Sequence, residues 1–190
     1  MATPKSLTPA DVERVLAHIA TSANAERNRA MFLMGLLSGL RVNEIAGLTV
    51  GDVRGADGTV RGEIYLSAQR TKHNHARTVF VSSRLQAEIE QYLVTKHIIN
   101  DEQPLFSIHH TPRKGFSANT MTQYFYWLFK ECGIKSGSSH SLRKTFLTSL
   151  ANQGVSVFVL ASLAGHKSIS TTQRYITVND DIKRRAVELV

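Results

Sequence analysis

The stretch EIYLSAQRTKHNHARTVFVS (63–82) decides the fold class, because here the chain leaves helical spacing for period-two alternation. Residues 63–70 and 77–82 read as two strands joined by a polar turn around 71–76. On the N-terminal side, SLTPADVERVLAHIA (6–20) opens a helix with Thr8 as N-cap, Pro9 at the first helical position and Asp11 three beyond the cap. Residues 25–38 form a second, largely apolar and central helix closed by Gly39, and a short helix over 42–48 follows Arg41. On the C-terminal side, 83–98 returns to helical spacing through Leu85, Ile89, Tyr92 and Leu93. A Pro- and Gly-punctuated loop over 101–116 precedes helices expected near 117–131, 139–152, 155–164 and 168–175, with a tail helix near 179–189. The expectation is a mainly α domain with a small antiparallel β-sheet (α+β) spanning 1–190, its last residues from about 176 forming a tail.

Lys and Arg outnumber Asp and Glu by 23 to 15, giving +8 and a pI near 9.9, a balance that suits a polyanionic partner. Cys132 is the only cysteine, so no internal disulfide forms and a reducing compartment is expected. Apolar runs such as MFLMGLL (31–37) fall far short of the ~18–20 residues a membrane span needs. The N-terminus lacks the apolar run of a signal peptide. A cytoplasmic protein without a membrane partner is expected.

Six residues in four segments carry chemistry that could act on one phosphate. Arg41 lies in LLSGLRVNEIAGL (36–48), Lys72 in QRTKHNHARTVFVS (69–82), His140 and Arg143 in HSLRKTF (140–146), and His166 and Tyr175 in LAGHKSISTTQRY (163–175). Two guanidiniums can clamp non-bridging oxygens with paired hydrogen bonds. Two imidazoles can hydrogen-bond or carry protons, an ammonium can protonate a leaving oxygen, and a phenol can attack. His140 and Arg143 sit one helical turn apart, at the start of a helix whose amides favour an anion. Each fragment has a plainer reading alone: a surface arginine, a solvated basic turn, a chance HxxR pair, a buried tyrosine with a satisfied hydroxyl.

Together these segments resemble the tyrosine recombinases, or phage integrases, over about residues 7 to 178. The resemblance implies an integrase-like DNA breaking and rejoining catalytic domain. In it Arg41, Arg143 and His166 hold the scissile phosphate, and Tyr175 attacks to form a 3′-phosphotyrosyl link. His140 helps accept the phenolic proton, Lys72 acts as acid toward the 5′ oxygen, and Glu44 fills the family's acidic position three residues after the first arginine, orienting Arg41. Lys72 is the best match for the family's hairpin lysine, with Arg70 its main rival. Arg70, His73, Arg77, Lys144, Thr145 and Lys167 are further candidates for DNA contact. The resemblance also implies double-stranded DNA as partner and a homotetramer on two DNA sites, monomeric when free. Most relatives carry an N-terminal DNA-clamping domain before a segment like SLTPADVERVL; here it is absent, so the chain is either a compact member or an excised catalytic domain.

Two alternatives stay open: a type IB topoisomerase-like enzyme that relaxes DNA, and a DNA-binding regulator that has lost catalysis. No metal and no cofactor are expected. His73 with His75, and His109 with His110, lack the cysteines or suitably spaced carboxylates of a metal site, and neither HExxH nor GxxxxGK[ST] occurs.

Overall fold

The computed structural model describes residues 4–71, 75–108, 111, 113–176 and 180–188. Chain order is α1 (Pro9–Ala20), α2 (Ala25–Ser38), α3 (Val42–Ala46), α4 (Val50–Val53), β1 (Glu63–Leu66), β2 (Arg77–Phe80), α5 (Ser83–Thr95), α6 (Ala118–Glu131), α7 (Ser139–Asn152), α8 (Val157–Ala164), α9 (Ile169–Gln173) and α10 (Asp180–Val187). The domain is thus mostly helical with one small antiparallel sheet, the class expected from 63–82.

Local chemistry sets the element ends. Thr8 Oγ1 accepts from the Asp11 amide at 3.1 Å while the Asp11 carboxylate accepts from the Thr8 amide at 3.0 Å, a reciprocal cap worth about 1 kcal/mol. Helix α2 opens on the polar run Glu26–Arg29 and from Ala30 onward is apolar on nearly every side, buried from Ala30 to Met34 as a central helix must be. It packs against α1, α5 and α7, and Phe32 meets Phe129 of α6 edge-on at 6.5 Å. It stops at Gly39, whose φ of +65° is left-handed and whose missing Cβ leaves room for the Phe146 ring.

The sheet pairs Glu63 with Phe80 and Leu66 with Arg77. Ile64, Leu66 and Val79 face the core, whereas Tyr65 and Phe80 face outward. Two features depart from expectation. Helix α4 lies in 49–62, a stretch to which the sequence assigns no element, and β1 ends at Leu66 rather than at 70, followed by a 3-10 turn over Ala68–Arg70. The turn forms because Arg70 reaches back to both Asp52 oxygens at 2.8 Å and to the Gly47 carbonyl, which draws the chain inward.

A second apolar cluster joins Leu147, Ala151, Leu160 and Ala164, with Phe146, Leu150, Tyr175 and Ile176 packed on it. Helix α7 links the two cores, placing Leu142 in the first and Leu147 in the second. The expected tail helix is present as α10, where Val187 is exposed; Leu189 lies outside the described residues. No helix among the described residues is long and apolar enough to cross a membrane.

Candidate active site

Arg41 is the residue before α3, in extended conformation. Its amide donates to Glu44 Oε2 at 2.7 Å and its Nη1 to Glu44 Oε1 at 3.1 Å. Glu44 is fully buried and takes a third charged bond, from Arg77 Nη2 at 2.7 Å. Buried carboxylates need such partners, since desolvation of the charge is costly. Glu44 therefore holds Arg41 at both backbone and side chain.

Arg143 is also buried, at 6 % exposure. Its Nη1 donates to the Gly39 carbonyl at 2.6 Å, and its Nη2 to the Ala164 carbonyl and to Nε2 of His166 at 2.8 Å. Because a guanidinium only donates, Nε2 of His166 must accept. The ring proton then sits on Nδ1 and is donated to Thr172 Oγ1 at 2.8 Å, a tautomer assigned from the bonding network. The Tyr175 ring stacks on His166 with centroids 6.0 Å apart and planes 18° off parallel. Its hydroxyl makes no hydrogen bond to a described residue.

Arg41, His140, Arg143, His166 and Tyr175 line one open cavity of ≈ 610 Å³, together with Lys167. Burial, with Arg41 next, pushes the Arg143 guanidinium down to about 9, with Arg77 adding to the fall while Glu44 and Tyr175 oppose it. That leaves it charged at neutral pH. Arg41, Arg77 and Arg143 act against the single carboxylate of Glu44, so the cavity carries surplus positive charge and suits an anion.

A neighbouring cavity of ≈ 280 Å³ shares Arg41, His166 and Lys167 and adds Thr71, His75 and Arg77. Lys72 and His73 lie outside the described residues, as do His109 and His110. The Thr71 hydroxyl accepts from the His75 amide and donates to the His75 carbonyl.

Four candidates for DNA contact already have partners within the protein. Arg70 is forked onto Asp52, away from both cavities. Arg77 spends Nη2 on Glu44 and Nη1 on the Leu163 carbonyl at 2.8 Å. Lys144 donates to the Pro4 carbonyl at 2.8 Å. The buried Thr145 hydroxyl donates to the Ser141 carbonyl and accepts from the Leu7 amide, so its single donor is already engaged. Thr172 was quoted only as part of a motif and emerges as the partner that orients His166. The carbonyls of Gly39, Leu163 and Ala164 are backbone groups, for which side-chain spacing gives no signal.

Comparison with known proteins gives a consistent picture. The sequence pattern of the phage integrase family matches residues 5–181. Tyrosine recombinase XerA of Pyrococcus furiosus is 29 % identical over 188 residues, covering 97 % of this chain and 61 % of the relative. XerA of Thermococcus kodakarensis is 31 % identical, covering 97 % and 62 %. The chain therefore spans about three-fifths of the length of these curated relatives. The crystal structure of XerA recombinase superposes with a TM-score of 0.75 at 25 % identity, over 100 % of this chain and 66 % of the other. The Tn1549 transposon integrase, solved with circular intermediate DNA, gives 0.73 at 21 % identity over 99 % and 67 %.

Proposed function

The chain belongs to the phage integrase family of tyrosine recombinases, and from that premise we propose that it is a site-specific recombinase, cleaving and rejoining double-stranded DNA through a 3′-phosphotyrosyl intermediate. The observation that carries this reading is the convergence of Arg41, His140, Arg143, His166 and Tyr175 on one positively charged cavity, where the tyrosine hydroxyl makes no hydrogen bond to a described residue.

In this reading the scissile phosphate enters the cavity and Arg41 and Arg143 meet its non-bridging oxygens. They stabilise the charge that grows as phosphorus becomes pentacoordinate. The Tyr175 oxygen attacks phosphorus, its proton passes toward His140, and the bond to the 5′ oxygen breaks. That oxygen takes a proton from Lys72 and leaves as a 5′-hydroxyl. His166 steadies Arg143 in the resting site; protonated, its Nε2 becomes a donor that can turn to the phosphate. Attack of a 5′-hydroxyl from another strand reverses the sequence and rejoins DNA, giving integration, excision or inversion. The phosphotyrosyl ester keeps the energy of the phosphodiester, so neither ATP nor a metal is required, the guanidiniums taking the electrophilic role. We place the enzyme in the cytoplasm, working as four protomers on two DNA sites and as a monomer when free.

The test is covalent trapping on nicked suicide DNA carrying the recombination site, with EDTA present throughout. A protein–DNA adduct resistant to denaturation is expected. No adduct with any strand polarity would contradict the reading. Relaxation of any supercoiled plasmid, irrespective of site, would favour a topoisomerase.

A further inference from the structure

Arg77 opens β2, yet its side chain runs inward and is only 11 % exposed. Its two terminal nitrogens divide between two catalytic elements. Nη2 donates to Glu44, the carboxylate that grips Arg41, and Nη1 donates to the carbonyl of Leu163. Leu163 lies in the last turn of α8, where carbonyls have no helical partner and cations are favoured. The next carbonyl, that of Ala164, is taken by Arg143. Two arginines from different elements thus fix the helix end that is followed immediately by Gly165 and His166. Gly165 has φ of +59°, and a Cβ there would come within 2.7 Å of Arg77 Cδ, so the glycine makes room for the arginine stem.

We propose that Arg77 is a positioning residue, a strut that holds Arg41 and the His166 turn in one geometry and acts on transition-state stabilisation rather than on DNA affinity. This deepens the recombinase reading given above and rests on it. A strut has different consequences from a phosphate contact. Removing a DNA contact lowers affinity and reduces the slope of log affinity against log salt by about 0.9 per phosphate lost. Removing a strut leaves both near their original values and slows the covalent step. Lys at this position reaches one of the two acceptors and not both.

The experiment compares wild type with Arg77→Met, Arg77→Lys and Glu44→Gln, each checked for folding by circular dichroism and thermal melting. Single-turnover cleavage of suicide DNA and salt-titrated binding are measured together, and the imidazole resonances of His166 are recorded by 1H–15N NMR. Arg77→Met is expected to slow cleavage by ~10–100-fold, with Kd changed less than about threefold and the salt slope unaltered. Arg77→Lys should fall between Met and wild type. The double variant Arg77→Met with Glu44→Gln should lose less than the product of the single effects, because both break one link. The His166 signals should shift in Arg77→Met even in the free protein. A reduced salt slope with a proportionate loss of affinity would overturn the proposal, as would unmoved His166 signals. If wild type forms no adduct, the recombinase reading fails, while the NMR comparison still judges the strut. If Arg77→Met does not fold, Arg77→Lys and Glu44→Gln carry the same test.

Discussion

Arg143 Nη2 lies 2.8 Å from His166 Nε2, and this single bond decides which imidazole nitrogen carries the proton. The other nitrogen must then donate, and it finds the hydroxyl of Thr172, which is completely buried. The order of dependence runs from Thr172 to His166 to Arg143.

Thr172→Val keeps the shape and removes the acceptor. An unpaired ring N–H in a buried place costs about 1–3 kcal/mol, so the melting temperature should fall. Freed of its orienting partner, His166 should support cleavage ~10–100-fold more slowly. Thermal melts and single-turnover cleavage check both, and a variant with the original rate would show that Thr172 does not orient the ring.

Arg41→Lys and Arg143→Lys retain the charge and lose the fork. Cleavage is expected to fall by ~10²–10³-fold at either position, with a smaller loss of DNA affinity, since the fork is needed where charge develops. Arg143→Lys should suffer more in stability, because one ammonium cannot serve the Gly39 and Ala164 carbonyls as two guanidinium nitrogens do. Rapid-quench cleavage beside equilibrium binding separates the two effects.

The fold was legible where signals are local. Thr8 with Asp11, and Gly39 after an apolar run, mark helix ends by short-range chemistry, and the structure follows them. The HxxR spacing likewise set His140 and Arg143 on one turn of α7. What stayed hidden depends on partners remote in sequence. Arg77 bonds a carbonyl 86 positions away, and Lys144 one 140 away; nothing near either residue announces such a partner. Basic side chains expected to contact DNA thus also brace the domain, as Arg70, Arg77 and Lys144 do. The first strand was read too long for the same reason, since Arg70 bends it toward Asp52.

Lys96 provides a pH test away from the cavity. Its ammonium donates to Ser107 Oγ at 2.9 Å over the Tyr92 ring, and burial, with Arg27 nearby, lowers it from 10.5 to about 8. Below about pH 8 both folded and unfolded chains hold this proton, and the slope is zero. Between about 8 and 10.5 the unfolded chain binds more protons, so stability should rise with pH. The group is half-exposed, so screening limits the gain to about 1 kcal/mol. Relative to wild type, Lys96→Met should lack this rise in urea melts from pH 7.5 to 10; identical profiles would refute it.

Helix α10 carries exposed Ala186 and Val187 on a short charged segment. If the tail joins protomers, deletion from residue 180 onward should weaken assembly on two DNA sites more than binding to one. Gel shift and light scattering measure each. Equal synaptic complexes from the truncated chain would remove the tail from the account.

The central claim is that the Tyr175 oxygen becomes bonded to DNA. Trapping on suicide DNA, digestion of the adduct and mass spectrometry of the nucleotide-bearing peptide locate the bond. The expected result is a 3′-phosphonucleotide on the peptide containing Tyr175, lost in Tyr175→Phe while DNA binding persists. An adduct that survives Tyr175→Phe, or a nucleotide found on another residue, would contradict it.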